Sequence, residues 1–160
     1  MGRSAAYWAA NLYRVADDPP KPSAPYRDLP GPIAARFRAA RTGLLAIRAG
    51  GEQVRFMGSP WAWTWEYSIG SRKLCWLHPI ATGVSGTFTL TQEEESRTLA
   101  LGRLAEVLRE ALRDGQRTGP VKWCWMALND RRTIEVFLSL IRRKAEWISA
   151  SAAIRRRRAV

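Results

Sequence analysis

Histidine occurs once in these 160 residues, at His78, and cysteine twice, at Cys75 and Cys124. That inventory excludes a four-ligand zinc site built from Cys and His alone, and it excludes a disulfide framework. A reducing cytoplasm is the expected home for two free thiols. Long apolar runs are also missing. No stretch approaches the roughly 20 apolar residues that a membrane-spanning helix needs. The first residues, MGRSAAYWAANLYRVADD, contain no apolar run of signal-peptide type. The expectation is a soluble cytoplasmic protein with no membrane span. Lysine is scarce: four of the 26 basic residues are Lys and 22 are Arg. The net charge of +12 invites a nucleic-acid reading. The Arg skew is also what a GC-rich coding sequence would produce whatever the partner. No phosphate-cradling loop with Lys-Ser/Thr is present, which argues against a nucleotide hydrolase, and no motif calls for a cofactor or a metal.

Tryptophan, by contrast, is plentiful, with eight residues, and each ring buries about 200 Å² when packed. In the segment WAWTWEYSI at 61–69, Trp61, Trp63, Trp65, Tyr67 and Ile69 occupy every second position. Ala62, Thr64, Glu66 and Ser68 lie between them. Period-two alternation predicts a strand. Further strands are expected at 52–57, 72–78, 84–90 and 121–128, bounded by Gly, Pro and Ser turns. Helical periodicity predicts a helix from Ile33 to Ile47, stopped by Gly50-Gly51. A second, long helix should begin at Thr91, with Glu94 suggesting a capping box, and end at Gly115. A third is capped by Asn129 or Asp130 and carries Ile134, Phe137, Leu138, Ile141 and Ile148.

The order α-β-β-β-β-α-β-α predicts an α+β domain. Its mostly antiparallel sheet has about five strands, with helices packed on its aromatic face. The domain should span 33–148. A proline-rich N-terminal arm, 1–32, has six prolines between residues 17 and 32. A basic, frayed C-terminal tail occupies 149–160. Tyr7, Trp8 and Tyr13 would either fold back onto the domain or reach a second subunit.

With simple hairpin registers, one face collects Trp61, Trp63, Trp65, Tyr67, Leu74, Trp76, Phe88, Trp123 and Trp125. The other collects Thr64, Glu66, Cys75, Ser85, Thr87, Thr89, Lys122 and Cys124. The aromatic face is either core or the wall of a ligand cleft. Every buried indole N–H needs an acceptor, and a core that only fills space is better served by Leu and Phe. That contrast favours a small aromatic or amphipathic ligand held between sheet and helices by Trp61, Trp63, Trp65, Tyr67, Trp76, Trp123 and Trp125, with Glu66 the nearest charge. Two alternatives stay open. One is an enzyme acting on a hydrophobic small molecule, with Glu66 or His78 as acid or base. The other is a nucleic-acid accessory protein using Arg155, Arg156, Arg157 and Arg158 without sequence specificity.

The run GSPWAWTWEYSIGSRKLCWLHPIATGVSGTFTL, the Thr-Gly-Pro-x-Lys-Trp segment and NDRRTIEVFLSLIRRK together resemble the bacterial family catalogued as domain of unknown function 3788. The matching positions are Trp65, Tyr67, Leu74, Leu77, Pro79, Phe88, Trp123, Asp130, Leu140, Ile141 and Lys144, within roughly residues 33 to 146. The resemblance implies a small α+β domain and transfers no activity. A looser similarity to the GyrI-like domains implies a cleft for aromatic compounds.

Overall fold

The computed structural model describes residues 5–160; residues 1–4 of the expected N-terminal arm lie outside it. Its elements are α1 (Ala5–Ala9), α2 (Pro25–Asp28), α3 (Gly31–Leu45), β1 (Gly51–Phe56), β2 (Trp63–Ile69), β3 (Arg72–Ile80), β4 (Gly83–Thr91), α4 (Gln92–Leu99), α5 (Glu106–Asp114), β5 (Gln116–Thr118), β6 (Val121–Ala127) and α6 (Arg131–Arg158). The strands form one antiparallel sheet in the order β1-β2-β3-β4-β6-β5. The α+β class and the order of elements are as expected from the sequence, with a sixth short strand and three extra helical pieces. The expected long helix is divided into α4 and α5. Gly102 takes a left-handed conformation, φ 82°, between them, which a continuing helix cannot accommodate.

Two caps behave as their residue types demand. The Thr91 side chain accepts a hydrogen bond from the Glu94 backbone N–H at the start of α4. The Glu94 carboxylate does not complete a capping box and pairs with Arg72 instead. At α6 the box is complete, made by Asp130 and Thr133. Helix α6 runs on to Arg158, so residues 149–158, expected as a frayed tail, continue the helix.

The core lies between the sheet and helices α3 and α6. Phe37, Trp65, Phe88 and Phe137 are all fully buried there. Phe137 rests directly on Gly86 of β4: a Cβ at that position would stand 2.7 Å from the ring. Glycine is what lets α6 approach the sheet this closely.

One irregularity decides which side chains share this core. At the Gly70-Ser71 hairpin the register begins regularly, with Ile69 opposite Arg72 and Ser68 opposite Lys73. A bulge at Leu74 then inserts one residue into β3, so Tyr67 faces Cys75, Glu66 faces Trp76 and Trp65 faces Leu77. A shift of one residue exchanges the faces of every position beyond it. The carbonyl of the bulged Leu74 accepts from the Lys144 ammonium of α6 at 3.1 Å. That ammonium also donates to the Thr89 carbonyl at 2.6 Å. Lys144 is 1% exposed, and burial pulls its pKa down to about 8.

The N-terminal arm is stitched to the domain. Asn11 is buried; its amide donates to the carbonyls of Trp61 (2.8 Å) and Trp63 (3.1 Å), and its Oδ1 accepts from the Tyr13 N–H. The Trp63 indole donates to the Val15 carbonyl and the Trp65 indole to the Pro22 carbonyl. The proline-rich arm thus supplies the acceptors that two indoles need. Trp8 folds back onto the domain, 3% exposed.

Candidate functional site

The predicted aromatic set does not share one face. Trp65 and Tyr67 point to the helix side with Leu77, Cys75 and Phe88, and belong to the packed core. Trp63 has the same strand parity and lies half-buried against Phe56, with ring centroids 5.6 Å apart. Trp76, by contrast, faces Glu66 and Thr87, while Trp123 and Trp125 face Thr89 and Thr87. Those three rings occupy the outer face, away from α3 and α6. Cys75 and Cys124, expected on the polar face, flank Phe88 on the helix side. Both thiols are pushed up by burial, Cys124 to about 12. Lys122, also expected on the polar face, pairs with Leu90 in the register and reaches Glu95.

Trp61 joins the outer face for a separate reason. Ala62 has φ 59°, a left-handed conformation that L-residues seldom adopt. It breaks the alternation between Trp61 and Trp63, and β2 begins only at Trp63. Trp61 therefore turns away from the stripe and lies against Trp76 (6.3 Å, near-perpendicular) and Trp123 (5.4 Å, 72°). Trp76 and Trp123 stack, 5.1 Å apart and 26° from parallel. Trp8 from α1 completes the layer, 5.5 Å from Trp61. The outer face of the sheet is thus paved with indoles, of which Trp61, Trp123 and Trp125 remain half-buried while Trp8 and Trp76 are closed off.

Beneath this layer lie polar groups. The Glu66 carboxylate is 2% exposed; it accepts from the Trp76 indole at 3.1 Å and pairs with Lys73 (2.5 Å) and Arg55 (3.3 Å). Burial favours its protonated form, but these three donors outweigh burial and hold its pKa below the ordinary value. His78 is fully buried, with Trp8 at 4.7 Å and Trp61 at 5.2 Å, both near-perpendicular to its ring. Its Nε2 shares a hydrogen bond with Thr87 Oγ1 at 2.8 Å. Burial lowers its pKa to about 3. Neither group stands near neutrality, where general acid–base catalysis is most effective. Glu66 instead anchors Trp76, and His78 supports Trp8 and Trp61.

Among the described residues, three buried polar atoms on this same face lack partners: Trp125 Nε1, Ser85 Oγ and His78 Nδ1. Register places them together, since Ser85 lies opposite His78, and Thr87, two residues along β4, lies opposite Trp125. Buried polar groups are almost always hydrogen-bonded, and each exception calls for an explanation.

Sequence reasoning overlooked Asn11 and Ser85. Asn11 carries no local signal, because its partners lie 50 and 52 residues away. Ser85 sat correctly on the polar face, without anything to mark it as unpaired. Arg155 to Arg158 form the exposed last turn of α6, where cations suit the helix dipole. Helix α6 packs on the opposite side of the sheet from the tryptophan layer. Among the described residues no group of three or more His, Cys, Asp or Glu could hold a metal ion, and no helix is long and apolar enough to cross a membrane. Comparison with protein-family models, with curated proteins and with solved structures found no match to this chain.

Proposed function

We propose that the protein binds a small planar aromatic or amphipathic molecule on the tryptophan-lined outer face of the sheet. The helix side is filled by Phe37, Trp65, Phe88 and Phe137, so the ligand wall falls on the half-buried rings of Trp61, Trp123 and Trp125. The observation that carries the reading is the buried, unpartnered N–H of Trp125 on the same face of the sheet as the unpartnered hydroxyl of Ser85. A buried donor left without an acceptor costs about 1–3 kcal/mol. A ligand oxygen would satisfy that donor, while its flat body stacked on indole would gain roughly 0.5–1.5 kcal/mol per ring beyond area burial. The layer offers a few unpartnered hydrogen-bonding atoms and a surface that recognises any π-face, which suits selection by shape and a single polar contact. The resemblance to domain of unknown function 3788 belongs to the proposal as well and supplies no ligand.

The test combines native mass spectrometry of gently purified protein with titration of 2-naphthol, followed by tryptophan fluorescence. Trp125→Phe keeps most of the ring and removes the N–H. Trp123→Ala removes a stacking surface. Both variants should lose any co-purifying adduct and weaken 2-naphthol binding by about tenfold or more, a change of 1.4 kcal/mol. Wild-type protein with neither an adduct nor tighter 2-naphthol binding than Trp123→Ala would sink the reading.

A further inference from the structure

A concavity lies on the helix side, away from the tryptophan layer, where the α4–α5 connection and α5 meet α6. Its volume is about 470 Å³. The floor is apolar, formed by Leu104, Leu108, Val136 and Leu140. The rim is cationic, with Arg103, Arg132, Arg142 and Arg143 against a single carboxylate, Glu135. All four arginines are exposed. The salt bridges of the described residues include none of them. Asp130 receives a hydrogen bond from the Arg132 backbone and feels its charge.

The arrangement follows from the sequence of α6. Arg132, Val136, Ser139, Leu140 and Arg143 recur at i, i+4, i+7, i+8 and i+11, one stripe of a 3.6-residue helix. That stripe is roughly 16 Å long at a rise of about 1.5 Å per residue. Arg142 and Arg143 cluster at one end of it. Leu140 in this stripe is buried in the core and Val136 packs against it, while Arg132, Ser139 and Arg143 are exposed, so the apolar part serves the fold and the charges flank it. Elsewhere among the described residues ten ion pairs tie down cations such as Arg41, Lys73 and Arg97. Here four guanidinium groups surround apolar side chains without salt-bridge partners.

We propose that this groove binds a monomeric amphipathic anion, a phosphate or carboxylate carried on a short apolar body. The guanidinium fork matches both oxyanions in bidentate geometry and is weakly hydrated, so it binds them well beside apolar surface. The floor then takes the hydrocarbon, whose removal from water favours binding. A recessed floor one small molecule long suits a free amphiphile. A flat bilayer would leave it unfilled. The basic turn Arg155–Arg158 plays no part in this site, because it lies beyond Ile148, the last buried residue of α6.

Calorimetric titration of the full chain with decyl phosphate, kept below micelle formation, tests the idea. The expected result is one-to-one binding that weakens about tenfold or more in Arg142→Gln/Arg143→Gln, while replacing Arg155, Arg156, Arg157 and Arg158 by Gln changes it by less than about twofold. Val136→Asn, which spoils the floor alone, should weaken decyl phosphate and leave inorganic phosphate unaffected. Should the double variant lose its far-UV circular dichroism, Arg103→Gln on the connecting loop serves in its place. Equal affinity for inorganic phosphate would overturn the amphiphile. Binding only to phosphatidylglycerol vesicles would overturn the monomer, and no binding at all would overturn the site.

Discussion

His78 gives the sharpest test of the packing on the outer face, because it is the only histidine in the chain. In the unfolded chain it should titrate near its ordinary value of 6.5, whereas burial lowers the folded value to about 3. A folded pKa below the unfolded one means that folding favours the neutral ring. The stability that rests on neutrality is therefore complete above pH 6.5 and is lost as the pH falls from there towards 3. One unit is worth about 1.36 kcal/mol, so roughly 2 kcal/mol should be gone by about pH 5, and close to 5 kcal/mol once the folded ring protonates. The groups packed on the ring are Trp8, Trp61 and Thr87, and Ser85 lies opposite; none of them carries a charge that could hold an imidazolium. Glu66, Asp28 and Asp130 start from ordinary values of 4.5, 3.8 and 3.8 and are lowered further, so their contributions fall below the upper part of the window. Urea unfolding followed by tryptophan fluorescence at about pH 7.5, 6.5, 5.5 and 5 measures the slope. His78→Phe keeps a ring between the two indoles and strands the Thr87 hydroxyl, a loss that does not depend on pH. Its stability should therefore be flat across the same range. A wild-type stability that is constant between about pH 6.5 and 5, or a variant that keeps the slope, would refute the reasoning.

Two further outcomes follow from packing. Gly86→Ala should destabilise by about 1–3 kcal/mol, since its methyl would meet the fully buried Phe137 ring at 2.7 Å. Combining it with Phe137→Leu should cost at least about 0.5 kcal/mol less than the two changes summed in denaturant melts, and strict additivity would show that the ring does not rest on the glycine. Asn11→Ala removes two hydrogen bonds from the arm to the carbonyls of Trp61 and Trp63, and one within the arm, from the Tyr13 N–H. It should cost about 1–3 kcal/mol and release residues 5–22 to limited proteolysis. An arm as protected as in the wild type would contradict the stitching.

Strands and their order were legible because alternation and turn residues are local. The helix-facing positions of Trp65, Tyr67 and Phe88 were legible for the same reason. The faces of Trp76, Trp123 and Trp125 were not. The Leu74 bulge has no residue signature. The parity of β6 against β4 passes through α4, α5 and β5, so no hairpin turn fixes it. Trp61 was misassigned because Ala62 adopts a conformation that Gly or Asn would have advertised. The proline-rich arm reads as a linker by composition, yet its carbonyls are the acceptors for Trp63 and Trp65. That role depends on backbone atoms, which carry no trace of it in side-chain types.

The extra residue at Leu74 has a consequence for how such a chain can diverge. Substitutions along β3 alter one contact each, but loss of a single codon there would send Trp76 and His78 inward and Cys75 and Leu77 outward. Indels in this hairpin would be purged even where point changes are tolerated, and Lys144, whose ammonium holds the bulged carbonyl, would have to change with them. In a set of homologues the spacing between Gly70 and Trp76 should therefore be more constant than the residues that fill it.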